Sequence, residues 1–490
     1  MSAAPKAGPS VRNALMWSFV ERYSSLLVAI ASGMLLGRLL TPAQFGVFSL
    51  CATVMVVAGI LRDFGVSEYL NQEKDLTDDK IRAAFAIAIV LAWSIGLVIV
   101  CIRHAAAAYY REPLVADLLL VLSINFLILP FGSPAFALMS REMAFRKIFV
   151  VQIVSNIVQS VVSVILALRG YGAMSLAVAP VCSIAVQTML VTYFRPRDSM
   201  LMPSFRAARH VLSYGSMFVT SRFIETFTRN AHEFVLAKQV DFASVGLFSR
   251  AFSLIELFNN NVTSAVMRVA TPSFASDHRA GRPLQAMFAR GTAIFTCVAF
   301  TFLGFLSLMA PDLIRVMFGD QWGRAGHLAQ ILAVALLPSY LVVLAPQLLA
   351  ATGHVKRRLQ ISLWFSPVHL AGVLIASFIS LEAVAMVWGV SNTVMLGMYV
   401  FHLKKVLNSS ARELFLPSLS SVAVAAISVS AMAAALYLCH RLQLPSLINL
   451  AVVGTVAAAA WFAAISVTRH PVHAEIMRFV QLRRQRPSTP

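Results

Sequence analysis

The chain has 490 residues, of which 59% are hydrophobic and 12% are charged, and its formal net charge is +19. A water-soluble protein of this length would lack the polar groups needed to cover its surface, so the composition excludes a soluble enzyme or binding domain and indicates an integral membrane protein. The positive charges are dispersed over many short loops, which argues against nucleic acid as a partner and is typical of contact with anionic membrane lipids.

Apolar segments recur along the whole chain, and each is long enough to cross a hydrocarbon core of about 30 Å as a helix. We therefore predict an all-α integral membrane protein with about 14 transmembrane helices. The predicted spans are 14–36, 45–61, 83–102, 114–133, 148–168, 173–194, 211–235, 243–267, 291–310, 326–350, 360–380, 383–402, 417–438 and 446–468.

Basic residues predict the orientation of these spans. Most of the 40 Lys and Arg residues lie in the two tails and in alternate loops. By the positive-inside rule those segments face the cytoplasm, so both termini are predicted to be cytoplasmic. The predicted regions are a cytoplasmic N-terminal tail at 1–13, an N-terminal six-helix lobe at 14–200, a C-terminal six-helix lobe at 201–403, two additional transmembrane helices at 404–468 and a basic cytoplasmic tail at 469–490.

The first half of the chain recurs in the second at an offset of 200 residues. Gly37–Ser49 aligns with Ala237–Ser249, with alanine, glycine, phenylalanine and serine at matched places, and Arg22 aligns with Arg222. Two similar halves, each with a cation inside the membrane, predict a two-lobed transporter with an anion site in a central cavity between the lobes.

Three predicted spans carry a polar stripe. In the seventh, a turn of about 100° per residue brings the polar side chains into one arc of about 120°, opposite an aromatic and aliphatic arc. Because a charge near the bilayer centre costs at least a few kcal/mol, the stripe must face protein or a water-filled cavity. The stripe residues are Arg222, Glu225, Thr226, Arg229, His232 and Glu233 in the seventh span, Arg250, Ser253, Asn260, Ser264 and Arg268 in the eighth, and Ser18, Glu21, Arg22, Ser25 and Ser32 in the first.

These stripes supply the candidate site residues. Guanidinium groups carry a permanent charge in a fork that matches phosphate oxygens, so the arginines are predicted to bind a diphosphate. Hydroxyl and amide groups are candidates for sugar contacts, and the acids and one histidine are candidates for ion or proton coupling. The diphosphate candidates are Arg22, Arg222, Arg229 and Arg250, the sugar candidates are Asn260, Ser253 and Ser25, and the coupling candidates are Glu21, Glu225 and His232.

A structural role is the alternative for each of these residues. Glu225 and Arg229, four residues apart, would form an ion pair within one helix, and Glu21 would pair with a neighbour to hold the bundle together. His232 would be a polar packing group, and Asn260 would hydrogen-bond between helices. The sequence leaves both alternatives open.

The remaining chemistry-bearing residues predict no reaction centre. The five cysteines are isolated in apolar segments, so they offer neither a disulfide framework nor metal-ligand spacing. The chain has no Gly-rich phosphate loop of the Walker type, so ATP is not expected to drive it directly. We therefore expect no metal, no cofactor and no enzymatic activity.

Several motifs together resemble one known family. In order and spacing over roughly residues 10 to 470 they are similar to those of bacterial oligosaccharide flippases, in the exopolysaccharide-exporter branch of the colanic acid and succinoglycan kind. That family lies within the superfamily of multidrug extruders and the peptidoglycan-precursor flippase. The motifs are Gly37–Phe48, Arg62–Ser67, Tyr69–Gln72, Ser140–Lys147, Gly246–Ala251, Met317–Trp322 and Ala350–His354.

The resemblance implies two six-helix lobes around a V-shaped cavity, two additional C-terminal helices and transport by alternating access. It also implies a substrate, an undecaprenyl-diphosphate oligosaccharide that moves from the cytoplasmic to the periplasmic leaflet of the bacterial inner membrane. Contact with a polysaccharide polymerase or export machinery is implied by the family alone. One departure concerns the seventh span, where many relatives carry an aspartate and this chain has Asn230–Glu233. A coupling role for that acid is therefore not carried over.

Two other functions stay open at this stage. A multidrug antiporter of the same superfamily is expected to have an acidic cavity, against which the excess of arginine in three spans argues. A membrane-embedded polysaccharide polymerase or ligase needs a substantial periplasmic loop with catalytic groups, and the longest predicted ones, 103–113 and 311–325, are short. Transport would draw its energy from an H⁺ or Na⁺ gradient or from consumption of the product.

Overall fold

The computed structural model describes residues 11–66, 69–70, 73, 77–194, 203–205, 219–220 and 222–484. All regular secondary structure in these residues is helical, and none of them forms a β-strand. The predicted all-α fold class is confirmed.

The helices fall into an N-terminal and a C-terminal series. The first series is α1 Val11–Leu39, α2 Pro42–Asp63, α3 Asp78–Tyr110, α4 Leu114–Ile128, α5 Ser133–Arg141, α6 Phe145–Leu168, α7 Ala173–Phe194, α8 at residues 222–229 and α9 Ala231–Gln239. The second is α10 Phe242–Phe258, α11 Ser264–Arg279, α12 Leu284–Phe318, α13 Gly323–Ala335, α14 Leu337–Leu341, α15 Ala345–Ala351, α16 Val355–Ser377, α17 Leu381–Leu407, α18 Ala411–Phe415, α19 Ser418–Arg441, α20 Ser446–Val467 and α21 Pro471–Arg484.

Among the described residues, 11 helices are long and apolar enough to cross a membrane, or up to 12 spans if the bent pair Asp320–Ala335 and Leu337–Ala351 counts as one. The predicted count of about 14 spans is therefore not confirmed. Predicted span 211–235 lies partly outside the described residues. In predicted span 243–267, the 17-residue α10 continues without a break through a π-helix into α11, so the segment is not one of the 11 uninterrupted α-helices.

The chain separates into two compact units, Met1–Gly246 and Leu247–Pro490. In the first unit α1 packs along α6, α6 packs along α7, and α3 packs along α4. In the second, α12 is the central helix, 35 residues long, and packs against both α13 and α19. The predicted regions with boundaries at 200 and 403 stay a prediction.

The start of α2 shows how the sequence fixes a helix end. Thr41 precedes the helix in an extended conformation, and Pro42 supplies a fixed φ angle at the first helical position. The Gln44 N–H donates to Thr41 Oγ1 over 3.3 Å, and the Thr41 N–H donates to Gln44 Oε1 over 3.0 Å. This reciprocal capping box satisfies two backbone donors that the helix leaves unpaired.

One close helix crossing lies in the first unit, between the first turns of α2 and α10. A Cβ atom added to Gly46 would lie 1.7 Å from the Phe242 carbonyl oxygen, and one added to Gly246 would lie 2.0 Å from the Pro42 carbonyl oxygen. Positions 42 and 46 match positions 242 and 246 in the sequence repeat. The contact is therefore reciprocal between the two copies of the motif, and only glycine fits either place.

In the second unit, α21 is attached to the membrane helices through His470. The Val472 N–H donates to His470 Nδ1 over 3.2 Å, so the neutral imidazole carries its proton on Nε2. That nitrogen donates to Ser421 Oγ over 3.0 Å, and Ser421 Oγ donates to the Ala293 carbonyl oxygen over 2.8 Å. Three helices, α12, α19 and α21, thus meet at one buried imidazole.

Candidate substrate site

The polar stripe of α1 forms a hydrogen-bonded chain with α6. Ser25 Oγ donates to Glu21 Oε1 over 3.5 Å, and Asn156 Nδ2 donates to Ser25 Oγ over 2.9 Å. The structure therefore brings together a predicted coupling residue and a predicted sugar-contacting residue, and it adds Asn156, which the sequence analysis missed. Arg22, a diphosphate candidate, is half-buried beside Glu21.

Two predicted diphosphate ligands share one face of α8. Arg222 and Arg229 are both exposed, and seven residues of helix place them at nearly the same angle. The opposite face carries a ladder of aromatic rings, in which Phe223 and Phe227 stack at 6.1 Å and Phe227 and Phe234 stack at 5.6 Å between ring centroids. The amphipathic character predicted for the seventh span is present over these residues.

The stripe ends in a buried acid. Glu233 is only 5% exposed, and its neighbour His232 is 3% exposed. Ser49 Oγ of α2 donates to Glu233 Oε1 over 2.9 Å, and His232 Nε2 lies 3.8 Å from the same oxygen. The sequence analysis placed both residues on the stripe, and of these two it named His232 but not Glu233 as a coupling candidate.

The next residues of α9 tie it to α3. Lys238 Nζ donates to the carbonyl oxygen of Tyr109 over 2.5 Å and lies 4.1 Å from the centroid of the Tyr109 ring. A cation over an aromatic face is attracted by the ring quadrupole. Helix α9 is therefore held against α2 near its first turn, through Glu233, and against α3 near its last turn, through Lys238.

The remaining diphosphate candidate, Arg250, lies in the second unit against two aromatic rings. Its guanidinium carbon is 4.7 Å from the Phe318 ring centroid and 5.4 Å from that of Trp322. Trp322 is fully buried. Two sequence motifs, one containing Arg250 and one running from Met317 to Trp322, thus meet in space. This contact favours a packing role for Arg250, and its role in diphosphate binding stays a prediction.

The sugar candidates of the second unit lie on α10 and on the π-helix that follows it. Ser253 Oγ donates to the Arg250 carbonyl oxygen over 2.7 Å, within its own helix. The π-helix Asn259–Thr263 exposes the Asn260 side chain, and next to it Tyr340 Oη donates to Asn259 Oδ1 over 2.8 Å. Local π-helices frequently mark functional sites.

An apolar groove of about 720 Å³ lies in the second unit between α11 and α12. Aliphatic side chains of both helices line it, and the ion pair of Arg290 with Glu475 of α21, 2.5 Å between Nη2 and Oε1, stands at its rim. The groove is separate from the predicted site residues, and we assign it no ligand.

Comparison with known proteins identifies the family of this chain. A family model described as "Polysaccharide biosynthesis protein" matches residues 35–327, which is more than half of the chain. The chain therefore belongs to this family, and the family predicted from the motifs is confirmed.

Two curated relatives extend the match. The chain is 23% identical over 409 residues to the lipopolysaccharide biosynthesis protein WzxC of Escherichia coli strain K12, and the alignment covers 82% of each chain. It is 25% identical over 323 residues to the succinoglycan biosynthesis transport protein ExoT of Rhizobium meliloti strain 1021, and this alignment covers 65% of each chain.

Two solved structures share the fold. The lipid II flippase MurJ in an inward closed conformation matches with a TM-score of 0.71 at 10% identity, over 92% of this chain and 98% of its own. A multidrug resistance transporter of the MATE family in an inward-facing conformation matches with a TM-score of 0.65 at 14% identity, over 78% and 94%. The chain is thus a multi-spanning membrane transporter of polysaccharide biosynthesis, as predicted.

Proposed function

We propose that this chain is a flippase for undecaprenyl-diphosphate-linked oligosaccharide repeat units. It moves them from the cytoplasmic to the periplasmic leaflet of a bacterial inner membrane, with both of its own termini in the cytoplasm, for exopolysaccharide or lipopolysaccharide biosynthesis. The family match and the likeness to a transport protein of succinoglycan biosynthesis support this substrate class.

The physical problem of the reaction is the diphosphate. The charges of the diphosphate and the hydroxyls of the attached sugars cannot enter hydrocarbon unaided. Removing water from them without replacement partners costs far more free energy than contact with the membrane provides. A hydrated surface that carries fixed cations removes this barrier, since guanidinium groups take the place of water around the phosphate oxygens.

The single observation that carries the proposal is the pair of exposed arginines on α8. Arg222 and Arg229 lie about 10 Å apart along one helix face, and both are exposed on a helix whose other face is aromatic. Such a pair matches an extended anionic headgroup better than a single phosphate. We assign the diphosphate to these two residues, with Arg22 as a further ligand.

The other parts of the substrate need different surroundings. The exposed amide of Asn260 is proposed to meet sugar hydroxyls in the second unit, while the polyprenyl tail stays in the lipid. No covalent bond is made or broken, so the chain is proposed to be a transporter and not an enzyme. Its proposed partners are the lipid-linked substrate, membrane lipids and a polysaccharide polymerase that consumes the product.

The test is the sidedness of lipid-linked oligosaccharide in a strain that lacks this protein. The strain is complemented with wild type, with Arg222→Ala or with Arg441→Ala at equal expression. Arg441 is also exposed but lies at the end of α19, outside every polar stripe, so it is the matched control. We expect the intermediate to accumulate on the cytoplasmic leaflet in the deletion and in Arg222→Ala, and to be cleared by wild type and Arg441→Ala.

Two outcomes would contradict parts of this proposal. If the lipid-linked intermediate accumulates on the cytoplasmic leaflet in the deletion strain but not with Arg222→Ala, the flippase function stands and Arg222 is not a diphosphate ligand. Unpolymerised oligosaccharide on the periplasmic face of the deletion strain shows that translocation proceeds without this protein, and a polymerase or ligase function then replaces the flippase.

A further inference from the structure

Basic side chains of two helices collect at one end of the hairpin that α16 forms with α17. Residues 378–380 join the two helices, which pack along each other, so the start of α16 and the end of α17 lie on the same side. Arg357 and Lys405 both interact electrostatically with the His402 ring, which confirms that the two ends meet. We call this group the hairpin cluster; its members are Lys356, Arg357 and Arg358 of α16 and His402, Lys404 and Lys405 of α17.

The acidic residues that the structure describes do not neutralise the hairpin cluster. All its members except Arg358 form no ion pair with any described carboxylate. Glu413 of α18, the first acid after α17 in the chain, accepts instead from Gln285 Nε2 over 3.1 Å and from the Ser410 N–H over 3.2 Å. The cluster is therefore a concentration of positive charge that calls for an anion.

The cations of α16 do not stabilise their own helix. The first turn of a helix has the positive end of the helix dipole and unpaired N–H groups, so it favours acidic residues. The first turn of α16 has no acidic residue and carries consecutive cations instead. The positive-inside rule accounts for basic residues on this side of the membrane, but not for their convergence from two helices without a counter-ion.

Part of the cluster is removed from water. Arg357 Nη1 and His402 Nδ1 are buried, and neither has a hydrogen-bond partner among the described residues. A charge that is partly dehydrated is screened less, so it attracts an anion more strongly than a charge on a fully exposed side chain. Lys356, Lys404 and Lys405 are exposed and place further charge around Arg357.

Both helices continue from the cluster into exposed apolar faces. Trp364 of α16 is 71% exposed, and Phe401 and Val390 of α17 are 56% and 67% exposed. Lys405 Nζ lies 4.1 Å from the centroid of the Phe401 ring, so a cation stands directly at the end of an apolar face. Because exposed apolar side chains of a membrane helix meet acyl chains, the hairpin offers a site for a charged headgroup and a surface for its tails.

We propose that the hairpin cluster binds the phosphate of an anionic phospholipid, whose acyl chains lie along α16 and α17. The lipid belongs to the leaflet that the charge pattern predicts to be cytoplasmic. A soluble phosphate offers the same anionic oxygens but makes no use of the apolar faces, so the phospholipid is the better fit. The site contains none of the residues assigned to the transported diphosphate, and the proposal does not depend on the flippase function.

The first measurement is lipid binding, by native mass spectrometry of the purified full-length protein titrated with phosphatidylglycerol or phosphatidylcholine. We expect wild type to retain phosphatidylglycerol in preference. Arg357→Gln combined with Lys405→Gln should lower the affinity for it by about 25-fold, at about fivefold for each cation. Arg146→Gln combined with Lys147→Gln removes two exposed cations of the first unit and is the matched control, which should bind as wild type. Equal binding of both lipids by wild type, or an equal loss in the control, overturns the proposal.

The second measurement is the midpoint of thermal unfolding in neutral detergent, with and without phosphatidylglycerol. Without lipid, Arg357→Gln combined with Lys405→Gln should be at least as stable as wild type, because two cations that repel each other are gone. Phosphatidylglycerol should raise the midpoint of wild type and of the control but not of this variant. Lys404→Gln combined with Lys405→Gln changes two exposed side chains, should lose the response in the same way, and serves if the first variant does not fold. A variant that is less stable than wild type and still responds to the lipid would give the cluster a purely structural role.

A third arm separates the possible sources of the phosphate. Inorganic diphosphate, added at the same phosphate concentration, should raise the wild-type midpoint less than phosphatidylglycerol does. An equal effect would make the cluster a site for soluble anions and overturn the lipid assignment. A polyprenyl diphosphate that binds the cluster more tightly than phosphatidylglycerol would assign the cluster to the transported substrate instead.

Discussion

The repeat places a glycine in the same contact at one pair of matched positions, whereas two in-span arginines that the repeat does not match to each other, Arg222 and Arg250, lie in different environments. Gly46 and Gly246 occupy matching positions in the repeat. Gly46 lies against the Phe242 carbonyl oxygen and Gly246 against the Pro42 carbonyl oxygen, and Pro42 and Phe242 are themselves matched. The in-span arginines behave differently, because Arg222 is exposed on α8 whereas Arg250 lies against Phe318 and Trp322.

Matched glycines and in-span arginines carry different information about the structure. A glycine kept at matched places reflects a backbone contact, and backbone geometry follows from the shared fold of the two copies. An arginine inside a span indicates only the presence of a charge, and aromatic residues from a distant motif decide whether that charge serves packing or binding.

The largest expected effect is on transport, from removing both exposed arginines. Each hydrogen-bonded charge pair with a diphosphate contributes about 1.5–3 kcal/mol, so each arginine is worth about 10- to 150-fold in substrate affinity. We expect Arg222→Ala combined with Arg229→Ala to lower transport in proteoliposomes by at least about 100-fold.

Arg250→Ala is the comparison variant for that measurement. Loss of its contact with two rings should lower the unfolding midpoint, since a cation–π contact contributes about 0.5–2 kcal/mol. If Arg250→Ala instead keeps its midpoint and loses transport as strongly as the double variant, the environments of the two arginines do not separate their roles.

The next effect concerns the glycine crossing. We expect Gly46→Ala to destabilise the protein, because its methyl group would overlap the Phe242 carbonyl oxygen and force the two helices apart, at a typical overpacking cost of about 1–3 kcal/mol. Gly59→Ala is the control in the same helix, where a Cβ meets nothing within 4 Å. There alanine should stabilise the helix by up to about 1 kcal/mol.

Thermal unfolding of the purified variants measures both glycine substitutions. The two changes should have opposite signs, although the substitution and the helix are the same. A Gly46→Ala protein as stable as Gly59→Ala would mean that the two helices do not approach closely at this point in the membrane.

Most of the fold was predictable from the sequence, because long apolar segments in a membrane have to be helices. The predicted spans and the family motifs agree with the structure over α1 to α7 and α12 to α20. The count of about 14 spans was not confirmed, because predicted span 211–235 lies partly outside the described residues and α10 passes into a π-helix at Asn259–Thr263, which periodicity does not predict.

The candidate site was predictable only in part. Helical angle alone placed Arg222 and Arg229 on one face, since both lie on one helix. It could not reveal that Ser49, far away in sequence, donates to Glu233, or that Asn156 joins the chain of Glu21 and Ser25. Contacts between helices depend on packing, which periodicity within one helix does not encode.

A smaller effect is expected from His470, a buried histidine outside the membrane spans. Burial lowers the pKa of the His470 imidazole below its ordinary value of 6.5. The folded protein therefore favours the neutral ring, so stability is fully present above pH 6.5 and is lost as pH falls from there through the lowered pKa.

The pH dependence of stability is measured by following the midpoint of thermal unfolding between pH 8 and pH 5. Wild type should lose stability on the acid side, and His470→Gln should lose part of that pH dependence. His473→Gln, three residues further along α21, should behave as wild type. Equal pH profiles for all three proteins would place the acid-sensitive group elsewhere.

The smallest expected effect separates two neighbouring asparagines of the π-helix. Tyr340→Phe removes the hydroxyl that donates to Asn259 Oδ1 and should cost about 0.5–1.5 kcal/mol of stability without changing transport. Asn260→Ala should lower transport, because its side chain is exposed and is proposed to meet sugars. Transport and unfolding measured on the same two variants test this. If Asn260→Ala changes only stability, the π-helix is a packing feature like the rings around Arg250, and the sugars are bound elsewhere.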